Sequence, residues 1–324
     1  MKIQENTPLS DVLWYKIGGK TRYLLQCENR EDILEALEFI KEHKPNKIFI
    51  CGTGSNLIFS DDYFDGVVIQ IVTPTTLDFQ DMHVTNADHV QVFGGVMLDE
   101  LLLFSFDHHL SGLEWAGGLP GTVGAGVRGN VGAYGGEIKD TLVTAEILDY
   151  SGEEPMLKTF SNQELQFVYR GSLVKSHKKM IVVSATFQLK NSSDEEIVEA
   201  RNIYDLHKQQ RKNNHPLEYP NCGSVFKNLR EKEQIEKVLQ VYPDMKENVE
   251  KKWYGKVAVA SLIERLGLKG FRIGNAQISE KHALFIVNLG GAKASDVLQI
   301  ISKVKDTFQE KFGFTPEVEV EIVQ

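Results

Sequence analysis

The sequence predicts an α+β protein in which a larger, two-lobed unit precedes a smaller α+β unit. Three observations support this class. Helical and strand-like patterns alternate along the chain, without an internal repeat or a low-complexity tract. Glycines concentrate at two places, residues 52–54 and residues 112–138. A polar run, KNSSDEE, separates the last strand of the larger part from the helix that opens the smaller part.

The composition argues against several classes of function. The chain has 324 residues, 42% hydrophobic and 25% charged, which is enough for roughly two domains. A net charge of −9, without a basic helix or a stripe of basic and aromatic residues, argues against nucleic acid as a partner. No apolar segment approaches the roughly 18 residues of a membrane helix, and the N-terminus has no apolar signal region. We therefore expect a soluble protein that is neither exported nor membrane-anchored.

The cysteines point to a reducing compartment. Cys27, Cys51 and Cys222 are an odd number, are scattered along the chain, and form neither a disulfide framework nor a C-x-x-C zinc pair. We expect a cytoplasmic protein without a metal site.

The first block of the chain predicts alternating helix and strand. Ile33, Leu37 and Ile40 share one helical face and predict an amphipathic helix over Arg30–His43. Pro45 then leads into a strand that opens the first glycine loop, and the chain after this loop enters another strand. This block is predicted to be α/β.

The second block contains a predicted helix, MLDELLLFSFDHHL, and strand-like runs that end at residues 180–189. Ser193 and Glu196 then form a capping-box pattern, which predicts a helix that extends to about Arg211 and opens the third block. The elements predicted beyond it are a charge-rich stretch (residues 230–252), a short apolar helix ending at Gly267, a strand ALFIVNL, a helix over residues 295–312 and an alternating strand EVEVEIV.

The first glycine loop lies in IFICGTGSNLIF, between two apolar, β-branched runs. It does not fit the dinucleotide fingerprint, because Leu57 stands where the third glycine should be and no helix pattern follows. If the loop binds phosphate, the donors are successive backbone N–H groups, supported by the Ser55 and Asn56 side chains. An ordinary hairpin turn is the alternative interpretation of the same pattern.

The second stretch, residues 112–138, contains 10 of the 27 glycines of the chain, so the cause must be local. Glycine is needed where the backbone takes a positive φ or approaches another surface closely. A large flat ligand pressed against the main chain is one such surface, and a crossing of tightly packed loops is another. A flexible linker fits less well, because large apolar residues such as Trp115 and Leu119 are interleaved with the glycines.

Together these motifs carry a family resemblance. GTGSN, GLPGTVGAGVRGNVGAYGGEI, YRGS and PNCGSVFKN follow one another in an order and spacing that resemble the bacterial UDP-N-acetylenolpyruvoylglucosamine reductases, flavoenzymes of cell-wall precursor synthesis. The resemblance covers nearly the whole chain, including NTPLSDVLWYKIGGK, GLKG, ISEKHALFIVN and the terminal helix with its acidic strand.

The resemblance implies a two-subdomain FAD-binding fold, of the type shared by PCMH and vanillyl-alcohol-oxidase proteins, with a C-terminal α+β substrate-binding domain. The implied domains are residues 1–190, with subdomains of about 1–72 and 73–190, and residues 191–324. The C-terminal strand is expected to contribute to the active site.

The resemblance also implies the cofactors. FAD would be dissociable, because the loop lacks the histidine that tethers flavin covalently in some relatives of the fold, and NADPH would donate the hydride. The residues implied to bind FAD are Gly52, Thr53, Gly54, Ser55, Asn56, Pro120, Gly121, Thr122, Val123, Gly124, Asn130, Gly132 and Ala133.

By the same resemblance the substrate is UDP-N-acetylglucosamine enolpyruvate, which is reduced to UDP-N-acetylmuramate by a monomer. The implied catalytic residues are Arg170 as the cation beside the substrate carboxylate, Ser224 as the proton donor, and Glu319 as the third member. The implied substrate-binding residues are Tyr134, Arg211, Lys212, Lys227, Asn228 and His282. Taken singly, Arg170 could be a surface ion-pair residue, Ser224 a turn cap, and Glu319 part of a solvated strand edge.

Some positions depart from the family pattern. His215 replaces the usual glutamine, Leu229 replaces a proline, and the chain ends at Gln324 where a glycine would normally follow. Residues 229–257 resemble an insertion of mixed-charge helix, whose charge run favours a solvated surface over a lid or an oligomer contact. The alternatives to the reductase are another flavin oxidase or dehydrogenase of the same fold and a non-catalytic nucleotide-sugar or flavin-binding module.

Overall fold

The computed structural model describes residues 1–324. The chain divides into two compact units, and each consists of three segments. The first unit contains Met1–Thr7, Thr21–Thr53 and Phe64–Asn213, and the second contains Pro8–Lys20, Gly54–Tyr63 and Asn214–Gln324. Compactness alone does not define a functional domain, so the division at residue 190 stays a prediction. No helix combines the length and the apolar character needed to span a membrane.

The first unit is built on two sheets. In the four-stranded sheet the order is Lys2–Pro8, Lys20–Cys27, Phe64–Ile71 and Ile48–Cys51, and the last two strands pair in parallel. The five-stranded sheet is antiparallel, in the order Met156–Ser161, Leu142–Asp149, Met180–Gln188, His89–Phe93 and Met82–Asn86. The first unit also contains two short antiparallel strand pairs. Gly132–Ala133 pairs with Gly136–Glu137, and Leu110–Ser111 pairs with Lys190–Asn191.

The helices of the first unit are Arg30–His43, Leu98–Asp107, Val123–Gly129, Leu173–Ser176 and Asp194–Asn214, with 3₁₀ turns at Glu114–Ala116 and Ile138–Asp140. The helix predicted from Ile33, Leu37 and Ile40 is confirmed at both ends. The Asn29 side chain caps its N-terminus by accepting from the Asp32 N–H. The predicted capping box is also confirmed, because the Ser193 N–H donates to the Glu196 carboxylate at 2.8 Å and the Glu196 N–H to the Ser193 hydroxyl at 3.3 Å.

The long helix Asp194–Asn214 packs into the first unit. Ile197, Ala200 and Tyr204 are buried in the same apolar core as the strands of the five-stranded sheet. The sequence pattern predicted an end near Arg211 and assigned the helix to the third block, whereas the helix continues to Asn214 and its buried residues join the core of the first unit.

The second unit has a mainly helical core. Its elements are the helices Leu9–Val12, Lys232–Val241, Val259–Arg265 and Ala294–Phe312, a 3₁₀ turn at Pro243–Met245, a π-helical turn at Asn248–Lys252, and the strands Leu57–Phe59, Arg272–Ile273, Ala276–Ile278, Ile286–Asn288 and Glu321–Val323. Three of these strands form an antiparallel sheet, and Leu57–Phe59 pairs in parallel with Glu321–Val323.

The topology corrects two expectations about strands. The first glycine loop is not a hairpin, because Ile48–Cys51 pairs with Phe64–Ile71 whereas Leu57–Phe59 pairs with Glu321–Val323. The predicted strand EVEVEIV is shorter than its alternation suggests, since only Glu321–Val323 forms a ladder and Val318 makes an isolated bridge to Phe226. The ladder with Leu57–Phe59 contains three residue pairs, and the residues before Glu321 lie beyond it.

The charge-rich segment after the PNCGSVFKN motif is not only a solvated surface. The backbones of Leu229 and Val257 exchange hydrogen bonds of 3.1 and 3.0 Å, which close the segment at its base. The core of the second unit includes three residues of this segment, Val238, Met245 and Val249. The lysines and glutamates of the segment lie outside this core. The charge pattern predicted the exposed face and missed the buried one.

Candidate active site

The two glycine stretches approach each other closely within the first unit. A Cβ atom placed on Gly52 would lie 2.5 Å from the Thr122 Oγ1, which is too close for any side chain. The Gln70 side chain donates to the Gly52 carbonyl at 3.2 Å and fixes this part of the loop. Glycine is therefore favoured at residue 52 because the Thr122 side chain fills the space that a Cβ would need.

The second glycine stretch continues into a short helix. Thr122 caps Val123–Gly129 by accepting from the Ala125 N–H, and Gly121 before it has a φ of 145°. The Gly124 N–H donates to the Gly94 carbonyl at 2.8 Å, which holds this helix against the five-stranded sheet. The linker interpretation is wrong, since this part of the stretch forms ordered, packed structure. The glycines here serve close packing, and those around Thr122 also border the first loop.

Polar groups near these loops fit an anionic cofactor. The N–H groups of Thr53 and Gly54 have no hydrogen-bond acceptor in the protein. The Trp115 indole N–H and the Arg211 Nη2 are buried, and neither has a partner. Unpaired donors are costly, so an acceptor supplied by a ligand would relieve that cost for the N–H groups of Thr53 and Gly54. The phosphates and ring carbonyls of FAD are acceptors of this kind.

Arg170 sits at the tip of a two-residue turn. The backbones of Val168 and Gly171 exchange hydrogen bonds of 3.0 and 3.1 Å, which leaves Tyr169 and Arg170 between them. Arg170 has a φ of 59°, a region that costs a non-glycine residue about 1–2 kcal/mol. Its Nη2 donates to the Gly132 carbonyl at 2.9 Å, and the guanidinium lies 5.1 Å from the Tyr169 ring centre. A strained arginine held this firmly suggests a functional site.

The carbonyl that binds Arg170 belongs to a hairpin. Gly132 pairs with Glu137, and Ala133 pairs with Gly136. Tyr134 occupies the turn between them with a φ of 50° and is 45% exposed. Its ring stacks on the His207 imidazole at 4.0 Å, and the Arg211 guanidinium lies 5.1 Å from the ring centre.

Arg211 is buried, with its Nε donating to the Gly117 carbonyl at 2.9 Å, and burial lowers the pKa of its guanidinium. Lys212, the next residue, is exposed. Tyr134 and Arg211 were predicted together as substrate residues, and the structure brings them into contact within the first unit.

In the second unit the backbone joins three predicted site segments. The Glu319 N–H donates to the Val225 carbonyl at 2.8 Å, directly after Ser224. The Val225 N–H in turn donates to the Leu284 carbonyl at 2.9 Å, two residues after His282. Ser224, Glu319 and His282 are each half-buried. The segments that carry these three side chains are therefore hydrogen-bonded neighbours, although they are distant in sequence.

The end of the first glycine loop lies beside the Ser224 segment. A Cβ placed on Gly223, which has a φ of 77°, would lie 4.0 Å from the Ser55 carbonyl oxygen. The Asn56 carbonyl accepts from the Glu321 N–H at 3.0 Å, so the loop end is also tied to the strand that follows Glu319. Within this unit, residues predicted to bind the cofactor and residues predicted to act on the substrate are adjacent.

The remaining substrate candidates in the second unit have partners within the protein. Asn228 accepts from the Val259 N–H at 3.2 Å, at the start of a helix. Lys227 forms an ion pair with Glu317. His282 accepts from the Leu284 N–H through Nδ1, so its neutral form carries the proton on Nε2, and burial lowers its pKa.

Two residues that the sequence did not single out, one in each unit, organise the local structure around predicted site residues. Asn221 is buried; its Oδ1 accepts from the Gly223 N–H at 3.1 Å and its Nδ2 donates to the Tyr219 carbonyl at 2.9 Å, which shapes the turn before Ser224. Glu137 accepts from Asn130 and forms an ion pair with Lys139. A single asparagine or glutamate outside any long helix or strand carries no periodic signal, so only the fold could find them.

The comparison with known families first defines the class of protein. Residues 21–155, which contain both glycine stretches, match the family of FAD binding domains. The chain is therefore a flavoprotein of mixed α and β structure, as predicted.

The particular family follows from the rest of the chain. Residues 215–323 match the family described as UDP-N-acetylenolpyruvoylglucosamine reductase, C-terminal domain. The UDP-N-acetylenolpyruvoylglucosamine reductase of Caldicellulosiruptor saccharolyticus is 36% identical, covering 98% of this chain and 91% of that protein, and the enzyme of Lactobacillus acidophilus is 35% identical, covering 99% and 95%. The crystal structure of the Thermus caldophilus enzyme matches over 100% of both chains, with a TM-score of 0.74 and 28% identity. The chain belongs to the UDP-N-acetylenolpyruvoylglucosamine reductase family and is an FAD-dependent oxidoreductase.

Proposed function

We propose that this protein reduces the enolpyruvyl ether of UDP-N-acetylglucosamine enolpyruvate to UDP-N-acetylmuramate, with NADPH as the hydride donor. The proposal rests on one observation. The backbone segments that contain Ser55, Gly223 and Glu319 are neighbours within the second unit. A reductase of this kind needs its proton donor next to its redox cofactor, and Ser224 follows Gly223 directly.

The glycine loops are proposed to hold FAD without a covalent bond. The N–H groups of Thr53 and Gly54 would donate to its diphosphate, and the segment around Thr122 would lie along its ring system. When bound, FAD supplies the chemistry that accepts a hydride from the nicotinamide and passes it on to the substrate. Gly52 and Gly121 would leave the backbone free of side chains where this ligand lies.

Arg170 is proposed to bind the carboxylate of the enolpyruvyl group. Reduction of an enol ether conjugated with a carboxylate moves negative charge onto that carboxylate. A guanidinium can donate two parallel hydrogen bonds to it and keeps its charge when partly desolvated. The strained turn and the contact with the Gly132 carbonyl would set the orientation of this group in advance.

Ser224 is proposed to deliver the proton to the carbon next to the carboxylate. A hydroxyl is a weak acid, so it needs a strongly basic acceptor, and the enolate of the substrate is one. Glu319 would assist at the same step, since its segment is hydrogen-bonded to the residue after Ser224. Proton transfer would then complete the reduction of the double bond.

The nucleotide diphosphate of the substrate is proposed to meet local cations in an otherwise acidic protein. The proposed contacts are Tyr134, Arg211, Lys212, Lys227, Asn228 and His282. The protein would act as a cytoplasmic monomer in peptidoglycan synthesis, and so in cell shape and division. The proposed monomer is checked by sedimentation velocity.

The experiment that tests the function is an anaerobic titration followed by visible absorbance. The purified protein is loaded with FAD, reduced with NADPH, and then mixed with UDP-N-acetylglucosamine enolpyruvate. We expect the yellow colour to bleach with NADPH and to return with the substrate. Bleaching without recovery would assign a different acceptor, and a protein that cannot be loaded with FAD would refute the proposed role of both glycine loops.

The Ser224→Ala variant tests the proton donor in the same assay. It should bind FAD and be reduced by NADPH as the parent protein is, but it should reoxidise with the substrate at least about 100-fold more slowly, since general acids contribute on that order. Loss of flavin binding in this variant would contradict the assigned role.

A further inference from the structure

Asn130 is the most completely buried polar residue in the region of Arg170. Its exposed fraction is 0%, and it ends the helix Val123–Gly129 with a φ of 42°. Asparagine tolerates this conformation better than most residues, but glycine would do so at less cost. The side chain must therefore have a use of its own.

The amide of Asn130 connects three segments of the first unit. Its Nδ2 donates to the Glu137 carboxylate at 3.0 Å and to the Val168 carbonyl at 3.1 Å. Its Oδ1 accepts from the Lys139 N–H at 3.1 Å. Both amide hydrogens are used within the protein, so the side chain has no donor left for a cofactor.

The hydrogen bonds of Asn130 and those of Arg170 link the same two segments. Val168 begins the turn that carries Arg170, and Arg170 donates to the Gly132 carbonyl at 2.9 Å. Gly132 pairs in the hairpin with Glu137, which accepts from Asn130. The turn and the hairpin are thus joined twice, once through the guanidinium and once through the asparagine amide.

The charges around Asn130 agree with this geometry. Burial acts to raise the pKa of Glu137, but hydrogen bonds from Lys139 and Asn130 and the charges of Lys139 and Arg170 outweigh it, so the pKa is lowered. Glu137 is therefore an anion that faces the Asn130 amide donor. A carboxylate at residue 130 would place two acceptors against each other.

We propose that Asn130 is a positioning residue for Arg170, which it acts on by fixing the Val168–Gly171 turn against the Gly132–Glu137 hairpin. The assignment gives the side chain of Asn130 a role different from the FAD contact that the resemblance implied for this residue. It rests on the proposed function for the role of Arg170 at the substrate carboxylate. An amide is needed because only it combines two donors, for a carboxylate and a carbonyl, with one acceptor for an N–H.

The test uses FAD-loaded protein that has been reduced chemically with dithionite, which removes any dependence on NADPH. Asn130→Asp and Asn130→Gly are compared with Arg170→Lys and with each double variant. The measured quantity is the rate of flavin reoxidation after mixing with UDP-N-acetylglucosamine enolpyruvate in a stopped-flow instrument. Asn130→Gly keeps the left-handed backbone without strain, so it remains informative if Asn130→Asp does not fold.

We expect each Asn130 variant to slow reoxidation about 100-fold, because a displacement of about 1 Å at a reacting group costs on that order. The Kd for FAD should not change. The double variants should be no slower than Arg170→Lys alone, since both changes disturb the same group. Additive slowing in the double variant, or weaker FAD binding with normal reoxidation, would overturn the proposal.

Asn162→Ala is the matched control. The Asn162 amide also bridges two backbone carbonyls, those of Lys139 at 2.8 Å and Leu142 at 2.7 Å, but it does not contact the Arg170 turn. Its removal should lower the melting temperature without slowing reoxidation. Equal slowing in this control would indicate a general effect of stability.

A crystal structure of the Asn130→Gly variant separates this inference from the proposed function. The Arg170 guanidinium should leave the Gly132 carbonyl in the variant and remain there in the parent protein. An unmoved guanidinium would refute the positioning role, whatever the substrate is. If the parent protein does not reoxidise with this substrate, the proposed function fails, and the structural comparison still decides the role of Asn130.

Discussion

At the scale of single residues, the contact between Gly52 and Thr122 has a direct consequence for cofactor binding. A methyl group on residue 52 would overlap the Thr122 hydroxyl at 2.5 Å. We expect Gly52→Ala to lower the free energy of unfolding by about 1–3 kcal/mol, the usual cost of overpacking, and to raise the Kd for FAD. Thermal unfolding and flavin fluorescence titration measure these two effects.

Gly129→Ala is the control for this substitution. Gly129 lies at the end of the helix Val123–Gly129, and a Cβ there would meet no atom within 4 Å. Alanine should leave FAD binding unchanged and stabilise the protein by up to about 0.5–1 kcal/mol. If both variants lose FAD equally, the glycine content of the stretch would matter more than the Gly52 contact.

A second residue-scale prediction concerns pH. Burial lowers the pKa of His282 below its ordinary value of 6.5, against the charge of Glu264 and together with that of Lys269. As the pH falls below 6.5, the unfolded chain takes up a proton that the folded protein resists, so stability falls until the folded pKa is reached. Protonation would also set an Nδ1 proton against the Leu284 N–H.

We therefore expect the parent protein to lose more stability between neutral pH and pH 5 than His282→Gln does, by at most about 1.4 kcal/mol per pH unit. Urea unfolding at each pH measures the difference between the two proteins. Parallel stability curves would contradict the buried, neutral state of this imidazole.

At the scale of elements, structure that depends on neighbouring residues could be predicted from the sequence, and structure that depends on distant residues could not. The helix Arg30–His43 was predicted well because its cap and its apolar face are local. The strand EVEVEIV was predicted too long, because alternation shows two faces but not the length of the partner strand. The segments that converge on Ser224 and Glu319 were found through resemblance, since nothing in their local patterns indicates pairing.

The segment over residues 229–257 provides the element-scale prediction. Met245 is fully buried in the core of the second unit, and the neighbouring Lys246 is exposed. We expect Met245→Ala to destabilise the protein by about 2–5 kcal/mol, because it leaves a cavity. Lys246→Ala should change stability by less than about 0.5 kcal/mol.

Thermal unfolding of the two variants distinguishes a structural segment from a solvated addition. If the Met245→Ala variant melts at the temperature of the parent protein, the segment does not contribute to the core as described. If Lys246→Ala is the more harmful change, its charged face has a role beyond solvation.

At the scale of the whole molecule, the three thiols differ in accessibility. Burial raises the pKa of both Cys27 and Cys222 to about 12, and both are fully buried. Cys51 is half-buried and ends the strand before Gly52. We expect iodoacetamide to modify Cys51 alone in the folded apoprotein, and FAD to slow this reaction, because the proposed cofactor loop begins at the next residue.

Mass spectrometry of labelled peptides, with Cys51→Ser as the unlabelled control, measures both effects. Labelling of Cys222 would show that the second unit opens readily. An unchanged rate at Cys51 in the presence of FAD would place the cofactor away from the first glycine loop.

The division into two units is the feature that sequence alone could not provide. Linear patterns suggested consecutive blocks, but each unit is assembled from three segments, and residues 54–63 belong with the C-terminal part of the chain. The motifs could be recognised because their residues are contiguous. Their grouping could not, because it depends on pairings between distant segments such as Leu57–Phe59 and Glu321–Val323.

This parallel pairing has a consequence for synthesis in the cell. A ribosome adds roughly 5–20 residues per second, so Leu57–Phe59 emerges tens of seconds before the strand that completes it. During that interval the apolar strand Leu57–Phe59 has an unpaired edge, to which chaperones, proteases or another nascent chain can bind. Slowing translation should therefore lower the yield of folded enzyme, whereas extra chaperone capacity should restore it.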